Sequence, residues 1–178
     1  FTRYVLERTR HKMGTKNQVK SALQIKGVDM ERNITAVFEY VLSSASEADL
    51  FDAASWYYRA NAWCSQWAQA FGFEIRQFGG IVAALSPQLS WEKNKAQALE
   101  VVARLQSGRS LAGLMAYPAN LDKARRIFHG EHPHDVLGGM KVRSFFRNIM
   151  LDETAVTVDR HAIAIALYGL SSEPSGRL

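Results

Sequence analysis

From Ile34 to Leu167 the apolar residues recur at the three-to-four-residue spacing of helices, and strand-like alternation is scarce. That pattern constrains the fold more than any other feature of the chain. It predicts helices over Ile34–Leu42, Glu47–Phe71, Arg76–Leu85, Trp91–Leu105, Leu121–Phe128, Lys141–Met150 and Asp159–Leu167. Their ends carry the expected punctuation. Ser46 and Ser90 stand where N-caps belong, with Glu47 and Asp49 in a first turn that favours carboxylates. Gly72, Pro87, Gly108 and Gly130 stand where helices should stop. Thr154–Val158 is the best strand candidate and is short. The expected class is all-α, a compact helical domain over residues 33–170. A basic extension of residues 1–32 precedes it and a flexible tail of residues 171–178 follows. Ser107–Pro118 reads as the internal linker. There is no repeat and no heptad run.

The 178 residues, 47% of them hydrophobic, suffice for one domain with a sizeable core. No window approaches the ~20 apolar residues of a membrane span, so no membrane association is expected. Phe1–Lys20 is basic and polar without the apolar centre of a signal peptide. Cys64 is the single cysteine. It excludes an internal disulfide and any cysteine-built zinc or iron–sulfur site within the chain. It fits a reducing, cytoplasmic setting. Lying among Trp63, Trp67 and Ala68, it reads as a small core residue. Trp56, Trp63, Trp67, Tyr57 and Tyr58 load the same helix with aromatics, a stripe that usually belongs to a core.

The net charge is +5 and the pI about 9.5. The excess is clustered. Arg3, Arg8, Arg10, Lys12, Lys16, Lys20 and Lys26 form one set; Lys123, Arg125, Arg126, Lys141, Arg143 and Arg147 form another. Two basic patches suggest a polyanionic partner, most often nucleic acid. A merely solvated basic surface is the alternative.

Three segments can carry chemistry. In Leu137–Phe145, Gly138 and Gly139 allow a tight turn, and the helix that follows points its free N–H groups at it, an arrangement that seats anions. Lys141, Arg143 and Arg147 add charge there; the plainer reading is a capped connection. In Val156–Ala162, Asp159 stands at a helix start. It is either a simple N-cap or a carboxylate kept ionised by helix N–H groups beside a substrate. In the second role it would stabilise growing cationic charge or orient water, with His161 in support. In Ala83–Trp91, a Ser-Pro-Gln turn presents Gln88, which can fill the gap left by an extruded base or be an ordinary loop residue. Just beyond, Trp91 and Asn94 could stack on and hydrogen-bond a base, or anchor a core. His129, His132 and His134 share a loop with Glu131 and Asp135, but loop histidines beside Pro133 read as polar surface. No metal and no cofactor is expected.

In this order, Leu85–Ser86–Pro87–Gln88, Leu137–Gly138–Gly139–Met140–Lys141 and Val158–Asp159–Arg160–His161 resemble the helix–hairpin–helix superfamily of DNA glycosylases, the endonuclease III-like enzymes. The similarity covers roughly residues 75–168. It implies the helical glycosylase fold, with Asp159 as catalytic residue, Gln88 as the wedge, and Gly139 with its neighbours as the phosphate-binding hairpin. Lys141 replaces the second hairpin glycine. Arg143 stands where bifunctional relatives carry a Schiff-base lysine, and arginine stays protonated. Hydrolysis by a monofunctional glycosylase is therefore the expected reaction, and the N-terminal helices would complete the second half of the fold. The segments are also similar to those of actinobacteriophage members, which implies the cytoplasm of a bacterial host. Such relatives include enzymes of pyrophosphorylase type that process hypermodified thymine in DNA. That chemistry is one alternative; a catalytically inactive module that binds DNA or protein is another.

Overall fold

The computed structural model describes residues 28–169. They form eight helices and no strand: α1 (Met30–Ser44), α2 (Glu47–Phe71), α3 (Ile75–Leu85), α4 (Trp91–Gln106), α5 (Pro118–Phe128), α6 (Pro133–Val136), α7 (Met140–Ile149) and α8 (Arg160–Tyr168). The all-helical class is the one the spacing predicts. The first basic set, Arg3 to Lys26, and the tail of residues 171–178 lie outside the described residues. No helix among the described residues is long and apolar enough to cross a membrane.

The described residues divide into two compact units, one of residues 28–53 and 158–169, the other of Ala54–Thr157. In the first, α1 packs on α8. Asp29 caps α1 by accepting from the Arg32 N–H at 3.0 Å, so the helix starts four residues before its apolar pattern becomes visible at Ile34. Asn33 Nδ2 donates to the Ala166 carbonyl at 3.1 Å, in the last turn of α8.

The second unit is built around α3. Every residue from Phe78 to Leu85 is buried, and α4, α5, α6 and α7 all pack against this one helix. Phe78, Ile81, Leu85, Ile127, Phe146 and Ile149 form the centre of the core, each worth about 1.5–3 kcal/mol of burial. The close approach depends on two glycines. A Cβ on Gly80 would lie 2.6 Å from Pro133 Cγ and 3.3 Å from Ile127 Cγ2; one on Gly79 would lie 2.7 Å from Met150 Cε. Cys64 is wholly buried in the same core, and burial pushes its thiol up to about 12, as a packing residue requires.

Side-chain amides close the C-terminal ends of these helices, where carbonyls lack intrahelical partners. Gln77 on α3 donates to the Ile127 and Phe128 carbonyls of α5 at 3.0 and 2.9 Å. Asn61 on α2 donates to the Ile149 carbonyl of α7 at 2.8 Å. Gln106 donates to the Phe71 carbonyl of α2 at 3.0 Å.

Some expectations need correction. Thr154–Val158 is not a strand: no second extended segment runs beside it among the described residues. Asn148 takes the partner's place, donating to the Ala155 carbonyl at 2.8 Å and accepting from Thr157 Oγ1 at 2.8 Å. The segment read as a linker lies inside the second unit, and Pro118 within it opens α5. Proline's fixed φ suits a first helical turn, which moves the helix start three residues ahead of Leu121. Pro133 opens α6 in the same way, a short helix that periodicity does not detect.

Gly80→Ala should destabilise the protein by about 1–3 kcal/mol, the cost of overpacking against a rigid ring. Gly79→Ala should cost less, because the Met150 methyl at the end of a flexible side chain can move away. Thermal unfolding of the two variants measures the difference, and equal losses would contradict this account of the contact.

Candidate functional site

The glycine turn lies between the buried Leu137 and α7. Gly139 is the N-cap of α7 with φ 73° and ψ 146°, and no side chain caps the helix. A positive φ is what glycine allows and other residues resist. A Cβ built on Gly138 would lie 3.6 Å from Lys123 Nζ, so α5 brings an ammonium to the turn. Lys141 is exposed in the first turn of α7. Uncapped N–H groups, a positive dipole end and these lysines make the turn suited to an anion.

The two arginines that follow are occupied within the fold. Arg143 Nε donates to the Leu137 carbonyl at 2.6 Å and so ties α7 back to the turn that precedes it. Arg147 Nε bonds Asp152 Oδ2 at 2.7 Å, and its Nη2 donates to Thr154 Oγ1 at 2.8 Å. Asp152 also accepts from Thr154 Oγ1 and N, at 2.6 and 3.0 Å. The Thr154 hydroxyl, then Arg147, holds the Asp152 carboxyl down to about 2.

The Ser86–Leu89 turn follows α3. The Leu89 N–H donates to the Ser86 carbonyl at 3.2 Å. Pro87 takes the second position, and Gln88 the third with φ 65°. This is the type II pattern, whose third position favours glycine. Holding a longer residue there costs about 1–3 kcal/mol. Gln88 is exposed, and its Oε1 accepts from Tyr117 OH at 2.7 Å. Sequence reasoning did not find Tyr117. Its only signal is its place immediately before the proline that opens α5.

Trp91 sits within a cluster of rings. Its centroid lies 5.2 Å from Trp56, 5.6 Å from Trp63 and 6.5 Å from Phe145. Lys95 Nζ stands 5.7 Å from the Trp91 ring centre and 5.9 Å from that of Trp63. Trp91 is thus a half-buried anchor in an aromatic cluster. Asn94 is 2% exposed, and its Oδ1 has no hydrogen-bond partner; one turn on, the buried Gln97 Nε2 also lacks one. Orphaned buried amides cost free energy and are uncommon in folded proteins.

Asp159 and His161 belong to the other unit. Asp159 is the N-cap of α8, its Oδ1 accepting from the backbone N–H groups of His161 and Ala162 at 2.9 and 3.0 Å. His161 takes part through its backbone, and its side chain is exposed. The Gln88 turn, the glycine turn, Trp91 and Asn94 all belong to the second unit. Among the described residues no three His, Cys, Asp or Glu side chains are grouped to hold a metal. In the histidine loop, His132 Nδ1 accepts from the His134 N–H at 3.3 Å.

Two outcomes check this geometry. Gln88→Gly should be more stable than Gln88→Ala by about 1 kcal/mol, because both lose the Tyr117 bond and only glycine relieves the positive φ; denaturant titration of the pair reads the difference. The depressed Asp152 carboxyl contributes stability that is present above its ordinary value near 3.8 and lost as pH falls through about 2. Asp152→Asn should flatten that part of the acid-unfolding curve; an unchanged slope would remove Asp152 from the account.

No curated protein and no solved structure matches the chain. One family model does, over residues 16–175, which include every residue of the candidate site. The chain therefore belongs to the DUF7178 family, a family of unknown function.

Proposed function

We propose that this protein acts on bases in DNA as a monofunctional, helix–hairpin–helix-type glycosylase that hydrolyses the N-glycosidic bond of a flipped, damaged or modified base. The observation that carries the reading is the uncapped start of α7 behind the left-handed Gly139, with the Lys123 ammonium beside Gly138. A backbone phosphate is the anion such a turn suits on a basic protein, and contacts of that kind position a duplex without reading its sequence. The strained, exposed Gln88 supports the reading from a second direction. Backbone strain of this kind gathers at functional sites, and a glutamine on a rigid turn suits the space vacated by a flipped nucleotide.

In this reading Asp159 faces the sugar of the flipped nucleotide. As the bond from C1′ to the base breaks, positive charge grows on the sugar, and a fixed carboxylate stabilises it. Water adds to C1′, and the base leaves with the bonding electron pair and takes up a proton. Two backbone N–H groups hold Asp159 Oδ1, so the carboxylate is oriented before substrate arrives. Arg143 offers no nucleophilic amine, which favours water over a covalent sugar–enzyme intermediate.

A panel of duplexes with damaged and modified bases, cleaved at abasic sites by alkali, tests the activity. Asp159→Asn should keep the helix cap, since asparagine caps as well as aspartate, and should abolish base release while DNA affinity stays nearly unchanged. An Asn variant as active as the parent would sink the proposal. Lys141→Ala should reduce the slope of log affinity against log salt by about one phosphate contact.

A further inference from the structure

A second cationic site lies in the Ala54–Thr157 unit, apart from the glycine turn. It is a pocket of about 310 Å³ walled by Arg76, His132, His134, Arg147 and Asp152, with Phe146 and Met150 as its apolar lining. Its volume falls at the lower end of the range of ligand pockets. We propose that this pocket binds the terminal phosphate of a small phosphate monoester, held by Arg76 and the two imidazoles. The inference does not depend on the reaction assigned to Asp159.

The charges in the pocket are unequally matched. Arg147 is neutralised by Asp152, to which its Nε bonds at 2.7 Å. Among the described residues Arg76 has neither a hydrogen-bond nor an ion-pair partner. It stands exposed on the first turn of α3, with its side chain lining the cavity. The imidazoles are pre-arranged. Their rings lie parallel, 5.3 Å apart at an interplanar angle of 15°. His134 packs edge-on to Phe146 at 5.6 Å. His132 Nδ1 accepts the His134 backbone N–H, so the neutral His132 ring carries its proton on Nε2 and is a donor even when uncharged. One unpaired guanidinium and a fixed imidazole donor suit an oxygen-rich anion.

The His134 ring, parallel to that of His132, walls the pocket beside this donor. From α3 the pocket receives Arg76, and from α7 Arg147. From the turn after α7 it receives Asp152, and from the α6 loop only the two histidines. An internal phosphodiester carries one charge and must lead chain out on both sides. A terminal monoester carries close to two charges and enters from one side.

Inorganic phosphate and nucleoside 5′-monophosphates serve as probes, with the imidazole resonances of the full chain followed by NMR. Both histidine resonances should shift and saturate as phosphate is added. Arg76→Ala should weaken binding about tenfold, as expected for one charge-assisted contact. Arg76 is exposed, so the variant should fold, and an unchanged amide spectrum checks this. Unshifted imidazoles at tens of millimolar phosphate, or equal binding by Arg76→Ala, would overturn the proposal. Oligonucleotides with and without a 5′-phosphate identify the carrier. Displacement by the mononucleotide or by the phosphorylated end alone supports a terminal phosphate. Equal displacement by the unphosphorylated strand would assign the pocket to the DNA backbone and refute it.

Discussion

The contact between Gly80 and the Pro133 ring sets the architecture of the Ala54–Thr157 unit. A helix buried on all sides can be approached closely only where side chains are missing, and α3 presents two adjacent glycines to α5, α6 and α7. That contact fixes where Pro133 stands, and α6 then leads directly into Leu137 and the glycine turn. The other end of α3 runs into the Pro87–Gln88 turn. Two of the segments proposed to touch DNA are thus anchored to one packed helix, one as its continuation and the other through α6, so their spacing is a property of the core.

The arginines show how a basic surface divides its work. Lys123 brings its ammonium beside Gly138, and Lys141 is exposed in the first turn of α7. Arg143 and Arg147, on the same helix, spend their planar donors on Leu137, Asp152 and Thr154. Arginine suits this use because its guanidinium forms several directed bonds at once. A count of positive charges along the sequence cannot separate the two uses, because the difference lies in carbonyls and carboxylates supplied from other turns.

The class of the fold was legible in the spacing of apolar residues, and most helix ends in their caps. Ser46 bonds the Asp49 N–H through its hydroxyl, and Ser90 caps α4, as their positions suggest. Two proline-initiated starts escaped periodicity, because Pro118 and Pro133 carry no apolar signature of the helix they open. The mistaken strand at Thr154–Val158 has a different cause. β-Branched residues favour extended backbone wherever partners exist, and here the partner is the single side chain of Asn148. At the candidate site, the residue types at Asp159, Gln88 and Gly139 were readable from local sequence. Tyr117 against Gln88, Lys123 against Gly138, and Arg76 with the histidine pair were not, since each contact joins segments far apart in the chain.

The amide bonds that close the helix ends have a consequence for measuring this protein in solution. Asn33, Asn61, Gln77 and Gln106 carry no charge, so the joints they make do not weaken as ions are added. Within each unit the helices should keep their registration from dilute buffer to concentrated salt. Any ionic-strength dependence in ligand binding can then be read as an electrostatic property of the surface lysines, arginines and histidines, separate from loosening of the scaffold beneath them.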